Sequence, residues 1–214
     1  MKDFKTYFES QQIPPKVYNT ILNNHLALIK YIYFLVKRGD EIPKEVYDKI
    51  LKHPGIALDY AIAMIKNERV HQIPKDVKQV MLDQKDFYKY ANTPIYFAQT
   101  CVHHGVEIPK EFLEKIALAE GGIDDLRRFI LYLIENNKEV PLILLNAVKE
   151  MAGALYDIAK RYVNRGKRVP EELISIISQN SFASYQVMLW LNSISRPVPE
   201  VIRRSGEEWE KDLI

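Results

Sequence analysis

Cysteine is all but missing. Cys101 stands alone among 214 residues, so an internal disulfide is excluded and a buried thiol in a reducing compartment is the expected state. Long apolar runs are missing too, since no stretch approaches the roughly 18 residues that a spanning helix needs. The opening residues Met1-Lys2-Asp3-Phe4-Lys5 lack the apolar stretch of a signal peptide. A cytoplasmic protein without a membrane segment is therefore expected. An excess of one charge is also lacking: a net charge of +2 does not by itself suggest nucleic acid or an anionic membrane as partner.

Motifs for chemistry are equally scarce. Cys101 and His104 lie three apart and His103 adjoins them, but His25, His53 and His71 are scattered elsewhere. A metal site needs three or four convergent ligands, so no metal is expected, and no cofactor. Gly121-Gly122 lacks the Lys-Ser/Thr and the preceding strand of a phosphate loop. Nothing in the spacing of Ser, His and Asp suggests a catalytic triad. The expectation is a protein that is not an enzyme.

What the chain does have is one phrase written seven times. An Ile-Pro or Val-Pro step stands at Ile13-Pro14, Ile42-Pro43, Ile73-Pro74, Ile108-Pro109, Val140-Pro141, Val169-Pro170 and Val198-Pro199. Successive anchors are 29, 31, 35, 32, 29 and 29 residues apart. A period of about 30 is the mark of a helical-hairpin array. Proline has no N–H and a fixed φ, so it suits the first helical position, and it bars helix from the residue before it.

Counting the Ile or Val as zero, position +3 is Glu45, Asp76, Glu111 and Glu172 in four copies, which suits the positive end of a helix dipole. Position +4 is apolar from Val17 to Ile202, and position +8 runs Ile21, Ile50, Met81, Ile116, Val148 and Ile177 before giving way to Gly206. Spacing of four keeps these on one face of a first helix, A. A second helix, B, emerges by counting back from the next anchor. Rows −11, −10, −7 and −6 are apolar, as in Phe129, Ile130, Leu133 and Ile134, and two inserted residues before Ile73 bring the second copy into line. Row −3 holds Gly39, Gly105, Asn137 and Gly166, residues that accept the left-handed conformation at a helix end.

The expected fold is all-α: an alpha-solenoid of about six helical hairpins, right-handed, forming a single domain over 1–214. Its repeats are 13–41, 42–72, 73–107, 108–139, 140–168 and 169–197, with terminal caps at 1–12 and 198–214. Phe4, Tyr7 and Phe8 are the expected contacts of the first cap, and an extra turn is expected over 85–91. Pro54 and Thr93 mark helix starts. Gly153 is the one breaker in the fifth repeat, which predicts a kink there instead of two separate helices. Gly206 and the acidic tail fit a solvent-facing end.

Short repeats of this kind, apolar-Pro-x-acid-apolar, resemble HEAT-type and related alpha-solenoids, and are similar to repeats in uncharacterised proteins of phages and large DNA viruses. The resemblance covers essentially the whole chain and implies a binding scaffold; no catalytic residue comes with it.

Outside the buried stripe of helix B, rows −12, −8 and −5 share a face. They hold the expected partner-binding residues: Lys30, Phe34, Tyr96, His103, Arg128, Tyr132, Arg161 and Trp190. Aromatic and arginine residues dominate interface energetics, which points to a protein partner; packing of the aromatics on flanking helices is the plainer alternative. Basic clusters at 160–161, 165–168 and 203–204 raise nucleic acid as a second partner class, but Glu171, Glu172, Glu200 and Glu207 dilute them. HEAT-like-repeat DNA glycosylases resemble this architecture, and by that analogy Trp190, Tyr132 and Asp157 are their candidate counterparts.

Overall fold

A computed structural model describes residues 13–83, 93–118 and 122–211. Among these residues stand thirteen α-helices, one 3-10 turn and no strand. The chain divides into two compact units, Met1–Ile108 and Pro109–Ile214, parting on the fourth anchor. The first unit holds α1 (Pro15–Asn23), α2 (His25–Arg38), α3 (Lys44–Lys52), α4 (Pro54–Lys66), a 3-10 turn (Val70–Gln72), α5 (Lys75–Leu82) and α6 (Thr93–His103). The second holds α7 (Lys110–Ala117), α8 (Ile123–Glu135), α9 (Leu142–Ala147), α10 (Ala152–Asn164), α11 (Glu171–Ser178), α12 (Ser181–Ser193) and α13 (Glu200–Lys211). The expected cap at 1–12 and the extra turn at 85–91 lie outside the described residues.

Helices pack mostly with their sequence neighbours, in a repeat-like arrangement. Within the first unit α2 packs on α4 and α4 on α6, while α3 packs on α5. Within the second, α8, α10 and α12 form one row, and α7, α9, α11 and α13 the other. The apolar rows build the core between them. At +8, Ile21, Ile50, Met81, Val148 and Ile177 are fully buried and Ile116 nearly so. On the B helices, Ile32, Ala61, Ala98, Ile130 and Ala159 are buried in row −10, and Leu35, Met64, Cys101, Leu133, Tyr162 and Leu191 in row −7. Each buried Ile, Leu or Phe contributes about 1.5–3 kcal/mol relative to exposure, so core burial dominates the stability of both units.

The prolines stand one residue earlier than the sequence suggests. Pro14, Pro43, Pro74, Pro109, Pro141 and Pro170 are N-caps with φ between −55° and −60° and extended ψ, and the helix begins at the next residue. Their carbonyls accept the first helical bonds, as from the Tyr47 N–H to Pro43 at 2.9 Å and the Ile174 N–H to Pro170 at 3.0 Å. A residue with no N–H leaves no orphan donor at that position, and its locked φ suits the cap as well as the first turn.

Every B helix ends alike. The residue in left-handed conformation is Gly39, Glu68, Gly105, Asn137, Gly166 or Ser195, with φ between 54° and 77°. At each, the next N–H returns to the row −7 carbonyl: Asp40 to Leu35, Arg69 to Met64, Val106 to Cys101, Lys138 to Leu133, Lys167 to Tyr162 and Arg196 to Leu191, all within 2.8–3.0 Å. This is the Schellman arrangement, which satisfies carbonyls the helix leaves open. Arginines from the following repeat add to it. Arg69 donates to the Val36 carbonyl at 3.2 Å and Arg165 to the Glu135 carbonyl at 2.9 Å, placing cations at negative helix ends.

Two expectations are corrected. The fifth repeat is not a kinked helix: α9 ends at Ala147, the chain turns through 148–150, and Gly153 lies inside the first turn of α10. The Val148 N–H bonds back to Leu145 and the Met151 N–H to Val148, so tight local turns separate the helices without a glycine. Nor is Gly206 solvent-facing. It is buried with Ile202 where α13 crosses α12, and a Cβ there would sit 3.2 Å from the Tyr185 backbone. The apolar row ends in glycine because the two helices approach too closely for a larger side chain.

Candidate partner-binding face

None of the eight expected contact residues is in the core. Lys30, Tyr96, His103 and Arg128 are exposed, and Phe34, Tyr132, Arg161 and Trp190 are half-buried. Of the aromatics among the latter, Trp190 packs on a flanking helix, as the plainer reading had it, while Phe34 and Tyr132 make ring contacts with residues of their own helices. Phe34 lies under the Arg38 guanidinium at 5.2 Å, Tyr132 stacks on Phe129 at 6.4 Å, and Trp190 meets Tyr156 edge-on at 6.0 Å. Burial pushes the Tyr132 hydroxyl above its ordinary pKa.

The first unit does not gather its four. Lys30 and Phe34 are on α2, Tyr96 and His103 on α6, and α4 packs between those helices. What α4 contributes there is Lys66, 5.4 Å from the Tyr33 ring, and Asp59, whose carboxyl is raised by burial against the pull of His25 and Lys66. His103 and His104 stand edge to face at 5.1 Å, both exposed, while Cys101 is fully buried and its thiol is pushed up to about 12 by that burial. These three do not converge, and no group of three or more His, Cys, Asp and Glu suited to a metal occurs among the described residues.

The second unit holds a cleft. A cleft of about 560 Å³ opens between α8 and α10, lined by Arg127, Leu131, Asp157, Lys160, Arg161, Asn164 and Arg165. Arg127 Nη1 donates to Asp157 Oδ2 at 2.6 Å and its Nη2 reaches Asp124 at 3.4 Å. Arg161 pairs with Glu135, whose carbonyl also receives Arg165. Lys160 Nζ lies over the Tyr156 ring at 5.3 Å, and Tyr156 in turn abuts Trp190. Arg161 and Trp190 thus belong to one connected surface.

Arg128 and Tyr132 do not line this cleft. Arg128 pairs with Asp125 at 3.8 Å and stays largely exposed; the cleft takes the preceding residue of each pair, Arg127 and Leu131. The reason is geometric. A groove between two packed helices is walled by the flank of each that faces the other, so α8 presents rows −13 and −9 while α10 and the residue after it present rows −12, −9, −8, −5 and −4. A single set of rows, applied to both helices alike, misses one wall. Arg127 carries the signal that would have found it, being a second arginine beside Arg128 with Asp157 thirty residues on.

The neighbouring basic clusters are largely tied up. Arg168 pairs with Glu171 at 2.9 Å, Arg204 with Glu200 at 2.9 Å, and Arg203 with Glu200 as well. No described helix is long and apolar enough to cross a membrane. Compared with protein-family models, with curated proteins and with solved structures, the chain matches none.

Proposed function

We propose that this chain is a non-enzymatic helical-repeat scaffold of the HEAT-like alpha-solenoid type, and that it binds an acidic protein partner along the B-helix face of its second unit. One observation carries the reading: the α8–α10 cleft sets four cations, Arg127, Lys160, Arg161 and Arg165, around a single lining carboxylate, Asp157. Arginine forks and a neighbouring half-buried tryptophan are the groups that dominate protein interfaces. The pairs Arg127–Asp157 and Arg161–Glu135 hold the forks in place before a partner arrives, and incoming carboxylates would share them.

The test is fluorescence anisotropy with a labelled peptide rich in Glu, Asp and Tyr, titrated with the full chain at about 50 mM and at higher salt, where phosphate-driven binding would also show its salt slope. Binding is expected to fall at least about tenfold in Arg127→Ala/Arg161→Ala/Trp190→Ala, a loss of the size that interface anchors carry, with helicity unchanged. Undiminished binding would overturn the assignment. Tighter binding to single-stranded or duplex DNA than to the peptide would replace it with the nucleic-acid reading.

A further inference from the structure

A second groove in the same unit is lined by other residues. The loops that follow α10 and α12 enclose about 460 Å³, with Val163, Val169, Ile174 and Leu191 as an apolar floor and Lys167, Arg168 and Arg196 as a cationic rim. Its volume is of the size that small-molecule and peptide side-chain sites have.

The rim is not there to fold the loops. The same turn recurs in earlier repeats without this charge: the two residues before the anchor are Asp40-Glu41, His71-Gln72, Val106-Glu107 and Lys138-Glu139 there, none of them net cationic with histidine neutral, but Lys167-Arg168 and Arg196-Pro197 here. Backbone geometry is shared regardless, with a positive φ at Gly39, Gly105 and Asn137 as at Gly166 and Ser195, and the same return to row −7. Lys167 and Arg196 make no side-chain hydrogen bond or ion pair among the described residues, and of the three rim cations only Arg168 has a carboxylate, Glu171 at 2.9 Å. Net cationic charge thus stands at one pair of loops, over apolar surface, and two of its three members have no partner for it among the described residues. A ligand complementary to both features carries aliphatic groups beside carboxylates. Phosphate chains would satisfy the rim and leave the floor empty.

We infer that the groove between the 165–170 and 194–199 loops receives a peptide segment of a protein partner in which Leu or Ile side chains alternate with Glu or Asp. The inference rests on the scaffold reading in taking a protein as partner, but it uses none of the residues of the α8–α10 cleft. Its test is anisotropy of a short fluorescein-labelled peptide of alternating Leu, Ile, Glu and Asp against the full chain at about 50 mM salt, where ion pairs are least screened. The expected result is saturable binding by the Arg127→Ala/Arg161→Ala chain, in which the cleft's own attraction for acidic peptide is removed, and a weakening of at least about tenfold when Lys167→Glu/Arg196→Glu is added to it. Circular dichroism is expected not to change on adding Lys167→Glu/Arg196→Glu, since neither rim side chain holds a hydrogen bond or ion pair among the described residues. No binding by the parent chain, or binding indifferent to Lys167→Glu/Arg196→Glu, overturns the groove. Equal binding of a peptide with Ser in place of every Leu and Ile overturns it too, by making the floor irrelevant. Loss confined to Arg127→Ala/Arg161→Ala overturns the groove and leaves the cleft reading standing.

Discussion

Tyr47 donates its hydroxyl to Asp76 Oδ1 at 2.7 Å, across a gap of one repeat. Asp76 is the acid at +3, which helix-dipole reasoning placed correctly in the first turn of α5 without revealing its second role. Tyr18 stands in the same relation to Glu45: burial first, then that carboxylate, pushes its hydroxyl up to about 12. Single residues therefore tie one repeat to the next in ways that a row-by-row reading treats as surface. Gly206 makes the same point from the other side. Its row calls for an aliphatic residue, and only the backbone of Tyr185, 3.2 Å from where a Cβ would be, explains why none is there. Restoring the row with Gly206→Ile is expected to destabilise the chain by about 1–3 kcal/mol through overpacking, read as a lower denaturant midpoint. A higher midpoint would mean that α13 can move off α12.

At the scale of the helix, starts and stops were legible wherever a distinctive residue marks them. Seven prolines announced the A helices, and Gly39, Gly105, Asn137 and Gly166 announced four B-helix ends. Glu68 and Ser195 gave no such notice, because neither type favours a positive φ; the return bonds from Arg69 to Met64 and from Arg196 to Leu191 hold them there. The break between α9 and α10 was invisible for a similar reason, being made by turns of ordinary residues. Asn180 shows what a strong cap contributes. Its Oδ1 accepts from the Ala183 N–H at 3.0 Å, and its Nδ2 donates to the Lys149 carbonyl at 3.3 Å, so it starts α12 and reaches the preceding repeat. Asn180→Ala is expected to cost about 0.5–2 kcal/mol, measured by thermal unfolding. Asn24→Ala, whose residue caps α2 through the Ala27 N–H alone, should fall lower in that range. The reverse order would show that the reach to Lys149 adds nothing.

For the molecule as a whole, periodicity disclosed the core because burial repeats with the sequence, but of the eight expected contact residues only Arg161 lines the cleft, because pairing between helices does not repeat in that way. Tyrosine is where the two units differ. Burial raises the hydroxyls of Tyr18, Tyr31, Tyr33, Tyr47 and Tyr60 in the first unit, against Tyr132 and Tyr162 in the second. A group whose pKa is raised on folding contributes fully below its unfolded value near 10 and loses that contribution as pH climbs through the folded value. From about pH 10 to 12 the first unit is therefore expected to unfold ahead of the second. Both tryptophans, Trp190 and Trp209, belong to the second unit. Ellipticity should thus decline before tryptophan emission shifts, and simultaneous change would refute the ordering.

The 3-10 turn at Val70–Gln72 takes up two residues that the other hairpins lack, and Ile73 still reaches its buried place. An error in length is absorbed where it occurs, because each helix answers mainly to its neighbours in the chain. Gain or loss of one whole hairpin inside a unit is accordingly the change of length that such packing would tolerate most readily.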